Sequence, residues 1–136
     1  MLRIEIPGNP APWTVYTKRG EPSIGFQNMR AWQEQIKSHV RQAWGDREPL
    51  TGPVSLTVSF YREWPQSAPQ KHTGAIQRWA VKHILTKPDV TNYLKAFEDA
   101  LKGVVFVDDS QTVGIVASKL YSSGPGFTVL EIEQWQ

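Results

Sequence analysis

Alternation opens the chain. Leu2, Ile4 and Ile6 share one parity and Arg3 and Glu5 the other, a period of two that predicts a short half-buried strand. It stops at "PGNPAP", where proline removes backbone donors. From Pro7 to Gln27 no period is visible, and a connection of that length in a compact domain is more often functional than idle. Trp13, Tyr16, Lys18 and Arg19 give it groups that can touch nucleic acid, with a surface loop pinned by its own aromatics as the equal alternative. Asn28 then reads as a helix cap, because Met29, Trp32, Ile36, Val40 and Trp44 recur at helical spacing until Gly45 ends them. The tryptophans of this first helix read as core anchors. Pro53 opens a second strand, with Val54, Leu56, Val58 and Phe60 on one face and Ser55, Thr57 and Ser59 on the other.

The segment from Arg62 to Lys87 resists a single reading. A helix over Ala75 to His83 and an exposed insertion both fit, and Arg62, Lys71, Arg78, Lys82 and Lys87 would let it cross a DNA backbone. Beyond it, Val90, Tyr93, Leu94, Phe97 and Leu101 fall within an arc of about 100° at helical geometry, the core-facing stripe of a second helix. Two β-rich runs, Thr112 to Tyr121 and Phe127 to Trp135, flank "SSGPG", which predicts an antiparallel hairpin. The expected order is β-α-β-α-β-β: an α/β fold in which a small mixed β-sheet is covered on one side by helices.

Length and composition narrow the chemistry. With 136 residues, 40% of them hydrophobic, one core and one domain over residues 1–136 are expected. The absence of cysteine excludes disulfides, thiolate zinc sites and a thiol nucleophile, leaving carboxylates and three histidines as metal ligands. His39, His72 and His83 have no short ligand spacing and are assigned no catalytic role. No run approaches the roughly 20 apolar residues of a membrane span, so a cytoplasmic protein with no membrane partner is expected. The net charge is only +2. Its distribution is more telling: basic residues are spread along the chain, whereas acids crowd between Glu98 and Asp109.

Those acids belong to "TKPDVTNYLKAFEDALKGVVFVDDSQ", Thr86 to Gln111. Taken singly, Asp89 explains itself as a helix cap and Asp108 with Asp109 as a turn. Taken together, they predict a site, because the apolar run Val104 to Val107 would deliver two carboxylates where the chain leaves the core. If that point lies beside the start of the second helix, Asp89, Asp108 and Asp109 converge. Clustered carboxylates repel unless neutralised, and a divalent cation with oxygen ligands is the usual solution. Magnesium suits best, since it binds through one or two carboxylates, keeps waters and accepts phosphate oxygens; it would activate water at a phosphodiester, with Lys95 placed to steady a phosphate oxygen.

The same residues resemble a known family. "KPDVTNYLKAFEDALKGVVFVDDSQ" is similar to the signature of the RusA-type Holliday junction resolvases, often prophage-encoded: Lys/Arg-Pro-Asp-x-Asp-Asn, a lysine, Asp-Ala-Leu and Asp-Asp-Ser-Gln. An "IPGNPAPW" start and a final strand pair extend it loosely. The resemblance implies a homodimeric, magnesium-dependent endonuclease, with manganese as a substitute ion, that cuts four-way DNA junctions symmetrically. It implies metal ligands at Asp89 and Asp109 with Asp108 adjacent, an essential lysine at Lys95, the family asparagine at Asn92, and DNA contact by Lys119. Independently of the resemblance, the basic residues Lys87, Lys18 and Arg19 are further DNA-binding candidates.

One position departs from the pattern: Thr91 stands where the family has its second aspartate. Seven residues nearly complete two helical turns, so Glu98 lies only about 20° around the axis from Thr91, and its side chain points back toward the helix start. Glu98 is therefore the expected catalytic and metal-ligating replacement. The competing expectation is a branched-DNA-binding protein that no longer cuts, its active site degraded at Thr91. An ordinary α/β interaction domain explains each acid alone but not their joint spacing.

Overall fold

The computed structural model describes residues 1–15, 20–64 and 87–135. Strand β1 (Leu2–Pro7), helix α1 (Ile24–Trp44), strand β2 (Val54–Glu63), helix α2 (Val90–Leu101), a 3-10 turn (Asp109–Gln111), and strands β3 (Thr112–Ser122) and β4 (Phe127–Gln134) follow in that order. Among the described residues the β-α-β-α-β-β order is the expected one, and the sheet is mixed. The possible helix over Ala75 to His83 lies outside the described residues. No helix among the described residues is long and apolar enough to cross a membrane.

The sheet order is β1-β4-β2-β3. This corrects the expected hairpin: β3 and β4 are not neighbours but flank β2, which β4 joins antiparallel and β3 joins in parallel. The turn chemistry of Ser123 to Gly126 reverses the chain correctly, yet four residues suffice to step across one strand. What selects the neighbour is burial. Val54, Leu56, Val58 and Phe60 are all but inaccessible, so β2 takes the centre, where both its edges are paired. The weakly buried β3 goes outside. A parallel pair needs a long crossover, here the chain that carries α2.

Helix α1 begins earlier than the periodic pattern, at a cap on Ser23 instead of Asn28; the Ser23 hydroxyl accepts from the Phe26 amide at 3.1 Å. Its first turn carries Ile24, 78% exposed, off the core stripe, which is why periodicity alone missed it. Trp32 does anchor the core, meeting Phe60, Tyr93 and Phe97 at centroid separations of 5.9, 6.4 and 5.9 Å. In α2 the buried stripe is Tyr93, Ala96, Phe97, Ala100 and Leu101, rotated from the expected one so that Val90 and Leu94 are only half-buried. The alanines explain the rotation. They admit α1 closely enough for buried Gln33 to donate to the Ala96 carbonyl at 3.0 Å and the Asp99 carboxylate at 3.2 Å.

Candidate active site

The start of α2 gathers one group of the expected residues. Asp89 is the N-cap residue, and its backbone carbonyl accepts from the Asn92 amide at 3.0 Å. Its side chain makes no capping hydrogen bond, so this exposed carboxylate stands at a helix N-terminus, where the dipole favours negative charge, without serving the helix as a cap. Lys119, on β3, donates from Nζ to the Pro88 carbonyl at 3.0 Å, which sets an ammonium beside it. Lys87 is exposed, and its carbonyl accepts from Arg62 Nη1 at 3.5 Å. The Arg62 guanidinium also opposes the burial that pushes the Tyr93 phenol up.

One turn further on, Lys95 is exposed and holds its ammonium 4.7 Å from the centre of the Trp13 ring, within cation–π range. Trp13 is itself fixed to the helix, its amide donating to the Asn92 carbonyl at 2.9 Å. The N-terminal loop thus shapes the site through Trp13, a packing role beside the nucleic-acid role expected of it. The Asn92 and Thr91 side chains face solvent. Lys18 and Arg19 lie outside the described residues.

The far end of α2 gathers the other group. Gly103 donates to the Phe106 carbonyl at 2.7 Å, and Val104, Val105 and Phe106 turn into the core. The chain leaving that plug therefore stays by the helix C-terminus. Asp108 accepts from the Ser110 hydroxyl at 2.6 Å and amide at 3.2 Å and meets Lys102 Nζ at 3.1 Å. Ser110 first, then Lys102, holds its carboxyl down at about 2. Gln111 completes the turn: its Oε1 accepts from the Val107 and Asp108 amides, and its Nε2 donates to the Leu50 and Gly52 carbonyls. Asp109 projects from this braced turn, exposed. Half-buried Glu98 lies near it; burial pushes the Glu98 carboxyl up, the Thr112 hydroxyl opposes, and the charge of Asp109 raises it again.

The structure therefore brings Glu98 toward Asp109 and sets Asp89 apart. The nine steps from Asp89 to Glu98 span about 13 Å of helix rise, and Thr112 to Lys119 span about 23 Å of strand. Among the described residues, no group of three or more His, Asp or Glu side chains is close enough to hold a metal ion. One chain alone does not fit a metal shared by Asp89 and Asp109. Lys102 and Gln111, which position the Asp108–Asp109 turn, were not picked out as functional from the sequence. The signal was present: a lysine one residue before Gly103 and a glutamine three residues after Asp108, the spacing of a capping box.

Two comparisons with known proteins bear on this arrangement. The family model described as Endodeoxyribonuclease RusA matches residues 7–133. A protein of Bacillus subtilis (strain 168), named "Uncharacterized protein YqaN", is 37% identical over 120 residues, which cover 82% of this chain and 83% of that protein.

Proposed function

The chain belongs to the RusA endodeoxyribonuclease family, and from that premise we propose that it is a structure-selective DNA endonuclease resolving four-way (Holliday) junctions by symmetric, magnesium-dependent phosphodiester hydrolysis. The family match across nearly the whole chain carries this reading. The layout of α2 supports it: a carboxylate that the helix does not use as a cap, at Asp89, stands among the cationic groups of Lys87, Lys95 and Lys119, on a surface that can approach a phosphate backbone.

In this reading Lys119 and Lys87 hold the phosphates flanking the scissile bond. Lys95, kept extended by the Trp13 ring, neutralises charge that develops on the phosphate being cut. Asn92 donates to a neighbouring phosphate or sugar. Glu98, Asp108 and Asp109 would supply carboxylates toward magnesium, for which manganese would substitute, while Asp89 stands at the other end of α2 within one chain. A homodimer suits the substrate, since a two-fold junction offers paired scissile phosphates.

Thr91 favours one second reading, a protein that binds branched DNA without cutting it. A labelled four-way junction incubated with magnesium, beside the same protein in calcium, separates the two. Paired symmetric nicks in magnesium support the nuclease; junction binding in calcium with no product in magnesium supports the binder. Absence of binding to any DNA at low salt eliminates both.

A further inference from the structure

Away from the acidic and basic groups of α2, the stretch "PGNPAP" and the first half of α1 enclose a cavity of about 490 Å³, within the size range of small-molecule sites. Pro10, Pro12 and Trp32 give it apolar walls. Asn28, Ala31 and Gln35, exposed at helical spacing, form its α1 side. The loop wall is fixed in place. Gly8, at φ 112°, turns out of β1 and donates to the Gly126 carbonyl at 3.0 Å. The Asn9 carboxamide accepts from the Glu63 amide at 2.9 Å, and the Thr14 amide meets the Met29 sulfur at 3.4 Å. A cavity held open in this way is preformed, which lowers the cost of filling it.

Its lining selects a class of ligand. Among the described residues no charged side chain lines it, in a chain with 15 basic and 13 acidic residues, so a phosphate or a carboxylate gains nothing there. The polar groups at its rim are the carboxamides of Asn28 and Gln35, which have no hydrogen-bond partner among the described residues. Each carboxamide offers a donor and an acceptor side by side, the pattern that pairs bidentately with the edge of a nucleobase. Flat apolar walls with amides at the rim suit a flat, uncharged ring edged with donors and acceptors.

Its position supplies the source of that ring. The loop wall continues into Trp13, whose amide donates to the Asn92 carbonyl at 2.9 Å and whose ring lies 4.7 Å from the Lys95 ammonium. At about 3.4 Å per nucleotide along a strand, a DNA strand with one phosphate at Lys95 brings a base to the cavity within a few nucleotides. A base must leave its stack to enter, and that costs least where pairing is already interrupted, as at the branch point of a junction.

We propose that this cavity receives one unstacked nucleobase of the DNA substrate, with Asn28 and Gln35 hydrogen-bonding its edge, and that it thereby favours branched DNA over continuous duplex. The substrate in this proposal rests on the nuclease reading; the chemistry of the cavity does not.

Binding measured in calcium tests the cavity without any cleavage. Ala31→Trp fills it from an exposed position of α1, and should weaken binding to a four-way junction about tenfold. Linear duplex of the same sequence offers no unstacked base and should lose far less. Junctions carrying one abasic nucleotide, placed in turn at each position beside the branch point, complete the test. At one position the abasic junction should reproduce the loss with wild type, and Ala31→Trp should lose nothing further there. Unchanged junction affinity in Ala31→Trp, equal losses on junction and duplex, or losses that multiply at every abasic position would overturn the proposal. Asn28→Ala with Gln35→Ala, both exposed, guards against misfolding of the filled variant: it should erase any preference among the four bases at that same position, and an unaltered preference counts against the cavity. A protein that binds with this pattern but never cuts keeps the cavity and loses the nuclease reading, whereas cutting that is indifferent to Ala31→Trp removes the cavity alone.

Discussion

Replacing Gln111 with alanine tests whether the acidic turn is built or merely present. Its side chain makes four hydrogen bonds: from the Val107 amide at 2.8 Å, from the Asp108 amide at 2.9 Å, to the Leu50 carbonyl at 2.7 Å and to the Gly52 carbonyl at 3.0 Å. Each such bond contributes about 1 kcal/mol net, and the site is half-buried, so water recovers some of the groups left behind. A loss of about 2 kcal/mol on Gln111→Ala follows from half the sum. Gln111→Glu keeps the acceptor but aims negative charge at two carbonyls and places it near Asp108 and Asp109, so it should cost at least as much. Urea unfolding followed by tryptophan fluorescence measures both. The functional consequence is a loosened Asp109: nicking falls in Gln111→Ala even at temperatures where the protein is fully folded. A stability change under about 0.5 kcal/mol, with unchanged nicking, would refute the bracing role and leave the glutamine as a surface residue.

Acid should expose the role of Asp108. Its carboxyl is held down at about 2 in the folded protein, against an ordinary 3.8, so its contribution is fully present above about pH 4 and disappears as pH falls through about 2. Urea midpoints at pH 5 and pH 2.5 should converge between wild type and Asp108→Asn at the lower pH; a constant gap contradicts the assignment. Glu98 has the opposite sign. Its carboxyl is pushed up by burial, so folding favours the protonated form and stability declines as pH rises from the ordinary carboxylate value through the raised one. Glu98→Gln should therefore unfold at a higher temperature than wild type at pH 7 in the absence of magnesium, yet lose junction cleavage. A variant that is both less stable and still active would remove Glu98 from the site.

Much of this fold is legible in residue order. The parity of Val54, Leu56, Val58 and Phe60 predicts β2 and its buried face, and the spacing of Tyr93, Phe97 and Leu101 predicts α2. Strand neighbours are less legible, because "SSGPG" encodes a reversal and not the strand it steps over. The start of α1 is hidden because Ser23 precedes residues off the stripe, so hydrogen bonding and not periodicity sets the boundary. The chemistry divides in the same way. Motif order gathers Asp89, Asn92 and Lys95 on one helix end, where local geometry suffices. Whether Asp109 reaches Asp89 depends on where the chain turns, and the buried Val104–Phe106 plug keeps that turn at the far end of α2. The arithmetic that nominated Glu98 from its angle around the axis did find a neighbour for Asp109. The rise over the two turns between Glu98 and position 91, about 10 Å for seven residues, is more than the backward lean of the Glu98 side chain recovers.

The most direct measurement is a four-way junction cleavage assay with wild type beside Asp89→Asn, run with and without magnesium. Asp89 makes no side-chain capping bond, so Asp89→Asn should melt with wild type while losing nicking entirely. Wild type should give paired, symmetric nicks only with magnesium. Junction binding without a cut by wild type, or undiminished cutting by Asp89→Asn, would contradict the account.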